Sequence, residues 1–365
     1  MNAEAYLFPK RQTRRDFMKT AGLAIASVAA LPAFSRADEK KSPVRIGSGY
    51  HTYEAVEDWG KLPEGMKYGF GCGVIVDSKD RVFVTSRSAN PCVTIFDRKG
   101  KILETWSQDF AEKIGYTPDQ VAATAHCLYL SKEHGKEYIY WTENVSDKKD
   151  LKLGARVYKT DLHGKILYTI GNVKAENSTS QKFDWTNPTD VAVAPNGDIY
   201  VVDGYGSQRV SRFDKNFTHI KTIGGHGKEH GKFNTCHGIW INTLRSKEEP
   251  EVYIADRQNG RVEVFSLAFD YKRTLLEGEI RNPCCFYQHK DKIYIPDLTS
   301  RVTIIDAQDK VVAHLGDGKG QADNKTNPAM FAAPHAMCVD SRGDLYVVEW
   351  VDFGRPRKFK HTPQA

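Results

Sequence analysis

The chain lacks most of what would mark a nucleic-acid, membrane-spanning or thiol-redox protein. Its seven cysteines include no Cys-x-x-Cys pair, which removes a thioredoxin-like site and a zinc ribbon. Seven is odd, so at least one cysteine stays unpaired within a monomer. No run of like charges occurs, and the formal charge of +6 over 365 residues owes most of its excess to the N-terminus. Residues 1–37 carry six Lys or Arg against two Asp or Glu, and removing that +4 leaves +2. A chain this close to neutral gives no reason to expect nucleic-acid binding, which calls for a basic patch. The apolar stretch from about Ala21 to Phe34 is roughly 14 residues, too short to favour a spanning helix.

Those first residues do hold a pattern. Arg14 and Arg15 open an Arg-Arg-x-Phe-x-Lys run, the apolar stretch follows, and Ser35-Arg36-Ala37 offers a cleavage site. This predicts a twin-arginine export signal over residues 1–37, a periplasmic or secreted protein, and no membrane attachment once the signal is removed. A retained N-terminal anchor is the alternative.

Helical periodicity is nearly absent after residue 37, and a repeat stands in its place. One phrase, a turn followed by a β-rich run and usually an acid, recurs as "SKDRVFVTSR", "GKEYIYWTEN", "PNGDIYVVDG", "EPEVYIADRQ", "HKDKIYIPDL" and "SRGDLYVVEW". A second, a strand ending in Asp with a turn into another strand, follows several of them, as in "VTIFDRKGKILETW" and "VTIIDAQDKVVAHL". Six units of about four short strands predict an all-β, six-bladed β-propeller over residues 38–365. Residues 43–56 are expected to supply the missing outer strand of the last blade, closing the ring through the chain termini.

In that register, the residue just before each innermost strand is Cys72, His126, Thr189, His237, Cys284 and His335 in turn. Histidine occupies the second, fourth and sixth units. Alternate blades of a six-fold ring are a third of a turn apart, so the three imidazoles can converge on the axis. Three neutral imidazoles with an open fourth position are the arrangement of catalytic zinc. Copper or iron also suits such a site, and three buried, hydrogen-bonded core histidines are the bland reading. Cys127 and Cys236 adjoin histidines and, by strand alternation, are expected to face the core instead. Cys72 and Cys284 share the axial register.

Arg87 and Arg257 stand just beyond the end of the β-rich run in their units, and Tyr205 one residue further along in its own. Two guanidiniums and a phenol near a metal would make a site for a carboxylate with a base beside it; solvated loop residues are the alternative. His226 and His230 in "GGHGKEHGKFN" read as parts of a Gly-rich loop. The segment "NVSDKKDLKLGARV" reads as a charged insertion, and its Asn144-Val145-Ser146 as a glycosylation pattern of little meaning behind an export signal of this kind.

"NPTDVAVAPNGDIYVVDGYGSQRV" and "FNTCHGIWI" with "VYIADRQNGRVEVFS" resemble the NHL-repeat propellers and, within them, the peptidyl-α-hydroxyglycine α-amidating lyases; the likeness in register runs from about Gly69 to Glu349. The resemblance implies that His126, His237 and His335 hold a catalytic zinc, that Tyr205 is the base, and that Arg87 and Arg257 line the active site. The implied reaction cleaves the N–Cα bond of a C-terminal α-hydroxyglycine to a peptide amide and glyoxylate, with a metal- and arginine-lowered phenol as base. Two residues depart from the family. Ala336 follows His335 where the family has an aspartate that helps bind a structural calcium, so calcium is not carried over. Gly206 follows Tyr205 where the family has a disulfide-bonded cysteine, so that bridge cannot form. The substrate would be a small molecule or a peptide C-terminus, and a separate monooxygenase would have to hydroxylate it. The alternative of a different class is a non-catalytic NHL propeller that binds a peptide or protein partner in the periplasm. A calcium-dependent lactonase ranks last, because the axial register offers imidazoles rather than carboxylates.

Overall fold

The computed structural model describes residues 44–144, 153–171, 180–320, 327 and 330–364. The signal expected over residues 1–37 lies outside them, as does most of the charged insertion, including Val145 and Ser146.

Six antiparallel sheets follow one another in chain order, and each has its first strand innermost. The inner strands are Gly71–Val76, Ala125–Glu133, Pro188–Val193, Cys236–Asn242, Tyr287–His289 and Pro334–Val339. The expectation of a six-bladed propeller holds. Closure also holds, with one strand more than expected. Arg357–His361 is the third strand of blade six, and the hairpin Arg45–Ser48 with His51–Val56 adds two more beyond it. Blade two likewise carries a fifth strand, Ser180–Lys182, running parallel to Ile166–Gly171. Two short helices, Gln108–Lys113 and Pro118–Thr124, connect blades one and two. Thr117 caps the second in a reciprocal capping box with Gln120, and that helix ends against the strand that carries His126.

The core lies between blades, not within one. Six apolar clusters each join a neighbouring pair, as where Tyr200 and Val202 of blade three meet Ile239 and Ile254 of blade four. A sheet with two apolar faces can bury both only by having a neighbour on each side, so the ring must close. The repeated tyrosine of the second strand (Tyr140, Tyr200, Tyr253, Tyr294 and Tyr346) is buried in every blade but the first, where Phe83 replaces it.

The recurrent acids have local work to do. Asp97, Asp161, Asp214 and Asp306 each accept two main-chain N–H groups of the turn that follows them, the reason third strands end in Asp. Asp203, Asp256, Asp297 and Glu349, at the ends of second strands, instead take N–H groups from the loop entering their own inner strand: Thr186 and Asn187, Asn234, Arg281 and Asn282, and Ala332. Those clamps sit two or three residues before the axial register position and fix where it falls. In blades one, two, three, four and six a register shift interrupts the pairing there. Such a bulge re-aims side chains.

Candidate metal centre

The bulges turn His126, His237 and His335 onto the axis. Their ring centroids are 4.9, 5.2 and 5.0 Å apart, a nearly equilateral triangle. One ligand atom from each lies within 4.8 Å of the other two.

Each Nδ1 meets a main-chain carbonyl of the next blade. His126 reaches Thr189 O at 2.7 Å, His237 reaches Cys284 O at 2.7 Å, and His335 reaches Cys72 O at 2.9 Å. A carbonyl can only accept, so Nδ1 donates and Nε2 keeps its lone pair. All three Nε2 atoms are buried without a hydrogen-bond partner. Burial, above all, holds His126 and His237 well below the usual imidazole range and His335 at about 3. For His126 the neighbouring His335 and Arg87 add to it, and for His237 Arg257 does. Three neutral, converging, unpaired nitrogens are costly unless something shares their lone pairs. The donor set fits zinc, and fits copper or iron, while it lacks the oxygen ligands that calcium needs.

Tyr205, Arg257, Arg87 and Trp350 surround one side of this triangle. The Tyr205 ring lies 5.9 Å from His126 and 5.6 Å from His237. Its hydroxyl accepts from Arg257 Nη2 at 2.9 Å. Arg257 is buried, and its Nε has no partner. Arg87 donates to Asn144 Oδ1 at 3.1 Å and packs its guanidinium 5.2 Å from the Trp350 ring, which stacks on His335 at 5.1 Å. All three residues expected beside the histidines are therefore near them, with Tyr205 and Arg257 paired and Arg87 held separately by Asn144 and Trp350.

Four sequence expectations need correction or completion. Burial raises the Tyr205 phenol above its ordinary pKa in the chain without metal, and Arg257 pulls against that rise. Cys127 is buried as expected, but the bulge between Ala125 and Leu128 turns it to line an axial cavity, so simple alternation fails there. Asn144 is 4% exposed and donates to Pro188 O while accepting from Arg87. Asn144 is thus a fixed part of the fold rather than of a solvated loop. Trp350, in the position past the second strand that Arg87 and Arg257 hold in their blades, was not singled out, because an indole there carries no sign of the chemistry. All seven cysteines are buried and free; burial pushes the Cys72 and Cys284 thiols up to about 12, with Arg87 and Arg257 respectively pulling against it. His230 stacks on Tyr271 at 4.0 Å, outside the cluster.

A family model for the NHL repeat matches residues 186–213, the stretch that carries Thr189 and Tyr205. The chain carries an NHL repeat. The chain is 24% identical over 210 residues to NHL repeat-containing protein 3 of Homo sapiens, covering 57% of this chain and 54% of that one. It is 27% identical over 192 residues to a probable peptidyl-alpha-hydroxyglycine alpha-amidating lyase of Caenorhabditis elegans, covering 52% and 47%. The chain thus spans about half the length of these relatives. Among solved structures, a streptogramin B lyase superposes with a TM-score of 0.54 at 14% identity, over 87% of this chain and 98% of that one; at that identity the likeness concerns the fold alone.

Proposed function

We propose that the protein is an exported, zinc-dependent carbon–nitrogen lyase that cleaves a hydroxyglycine-type substrate, a small molecule or a peptide C-terminus, to an amide and glyoxylate. The observation that carries this reading is the convergence of three partnerless Nε2 atoms beside a phenol that an arginine holds at 2.9 Å. The similarity to the amidating lyase of Caenorhabditis elegans supports the reaction class.

His126, His237 and His335 would hold the metal. Zinc, when bound, supplies a Lewis acid and a positive charge that favours ionised oxygen nearby. Arg257 orients the Tyr205 oxygen and stabilises its phenolate form, opposing the effect of burial. Tyr205 takes the proton of the substrate hydroxyl. The electron pair left on that oxygen forms the carbonyl of glyoxylate as the N–Cα bond breaks. The amide nitrogen receives the departing pair and then the proton carried by Tyr205, so no outside oxidant or reductant enters. Arg87, whose guanidinium lies on the Trp350 ring beside His335, would pair with the substrate carboxylate. The hydroxylated substrate must come from a separate monooxygenase reaction.

The test is elemental mass spectrometry of the purified mature protein together with glyoxylate release from an α-hydroxyglycine peptide. About one zinc per chain and glyoxylate formation support the lyase. A protein that folds, takes up no zinc when it is offered and forms no glyoxylate would instead be the non-catalytic, partner-binding propeller, a reading that the longer match to NHL repeat-containing protein 3 keeps open.

A further inference from the structure

One residue beyond the axial register, the six units present Gly73, Cys127, Asp190, Gly238, Cys285 and Ala336. Five are small, and two have no room to be larger: a Cβ on Gly238 would come within 2.4 Å of Cys284 O, and one on Gly73 within 2.9 Å of Leu128 N. The sixth is a carboxylate. Below this ring, further along the inner strands and so on the side away from Tyr205, the axis opens into a cavity of about 140 Å³. Apolar side chains make most of its wall; among the described residues Asp190 is its only carboxylate, and neither lysine nor arginine lines it.

Four aromatic residues line the cavity as well, Tyr129, Trp240, Phe286 and Tyr287. Tyr129 and Trp240 meet edge to face at 5.8 Å, and Trp240 and Tyr287 lie 6.2 Å apart. Their polar atoms are engaged elsewhere: Tyr129 donates to Val193 O, Tyr287 to Val339 O, and Trp240 Nε1 to Gln288 Oε1. Tyr129, Trp240 and Gln288 also line a wider groove of about 710 Å³ beside the cavity, which gives a route from solvent.

We infer that this cavity, just below the small-residue ring and on the side away from Tyr205, is a binding site for an alkylammonium group, with Asp190 as counter-ion and the Tyr129, Trp240 and Tyr287 rings as its collar. The chemistry is that of an aromatic cage: ring faces attract a cation, and a low-dielectric wall strengthens its pairing with a carboxylate. Asp190 is 6% exposed and has only two main-chain donors, Val191 N at 2.9 Å and Ile239 N at 3.1 Å, for the four lone-pair positions of a carboxylate. Burial raises this carboxyl to about 7 despite those donors. The volume suits a short amine or the end of a lysine side chain; a folded partner is too large to enter.

Isothermal titration of the full mature protein with n-butylammonium chloride at pH 8, beside n-butanol as the neutral molecule of the same length, tests this. Binding of the amine at least tenfold tighter than of the alcohol is expected, with a tenfold or greater loss in Asp190→Asn and in Trp240→Leu. Nα-acetyl-lysinamide in place of the amine distinguishes a peptide side chain from a free amine, and binding of either supports the site. No amine binding, or equal affinity for the alcohol, overturns the proposal on the wild-type protein alone, whether or not Asp190→Asn folds. Thermal stabilisation by calcium chloride that disappears in Asp190→Asn, without any by the amine, assigns the carboxylate to a metal ion and also overturns it.

Discussion

Blades two, four and six meet the axis differently from blades one, three and five. The even blades send an imidazole inward, and the odd blades a main-chain carbonyl that fixes the neighbouring imidazole through Nδ1. Half of the ring can thus ligate, and the other half orients. Orientation of this kind uses no side chain, which is why the odd positions can be cysteine or threonine without disturbing the three-fold arrangement. It is the backbone version of the outer-shell partner that sets the tautomer of a metal-bound histidine.

The sharpest test of this division is to remove one ligand. His237→Ala should lower zinc from about one per chain to near zero and glyoxylate release by on the order of 10³-fold or more, with far-ultraviolet circular dichroism unchanged; retained zinc would break the comparison at its even half. Tyr205→Phe comes next: it should keep its zinc and lose roughly 10²- to 10⁴-fold in kcat, and a variant that lost metal instead would put the phenol among the ligands. Proton linkage probes the same ring without substrate. In the metal-free protein His335 stays neutral down to about 3, whereas in the unfolded chain it protonates near the ordinary imidazole value of about 6.5. The unfolded state therefore binds the extra proton between those values, and stability present above pH 6.5 is lost as pH falls toward 3, by up to about tenfold in the folding constant per pH unit for that residue. Denaturant titrations should show a shallower slope in His335→Gln, and an unchanged slope would mean that the imidazole is already charged when folded. The smallest effect belongs to an odd blade. Thr189→Val removes the 2.8 Å bond from Oγ1 to His237 O but leaves the carbonyl that holds His126. A loss of about 1 kcal/mol in stability with full zinc content is expected; loss of zinc would show that odd-blade side chains orient the ring too.

The same contrast explains what could be read from the sequence. Blade number, ring closure and the three histidines were legible because each is a repeated feature, and a repeat averages over local irregularity. The pairing of Tyr205 with Arg257 was half legible, as two positions near the same mouth. Asn144 and Trp350 were not: they hold the same position past a second strand as Arg87 and Arg257, but an amide and an indole there carry no sign of the chemistry. The carbonyl partners of the histidines have no sequence signature at all, because any residue supplies a carbonyl. Cys127 misled through alternation, which assumes an unbroken ladder, whereas the inner strands bulge where they reach the axis. The rise of the Tyr205 phenol follows from how deeply loops cover it, a property of the assembled ring.

The sixth blade joins Arg45–Ser48 and His51–Val56 to Arg357–His361, and it also carries His335. On the ribosome these partners emerge at opposite ends of the described chain, so the hairpin waits as an open edge through the making of five blades. Until the inner strand Pro334–Val339 arrives, two imidazoles face a gap. The cage is thus among the last things the nascent polypeptide builds, and a half-made chain offers a passing ion two ligands instead of three.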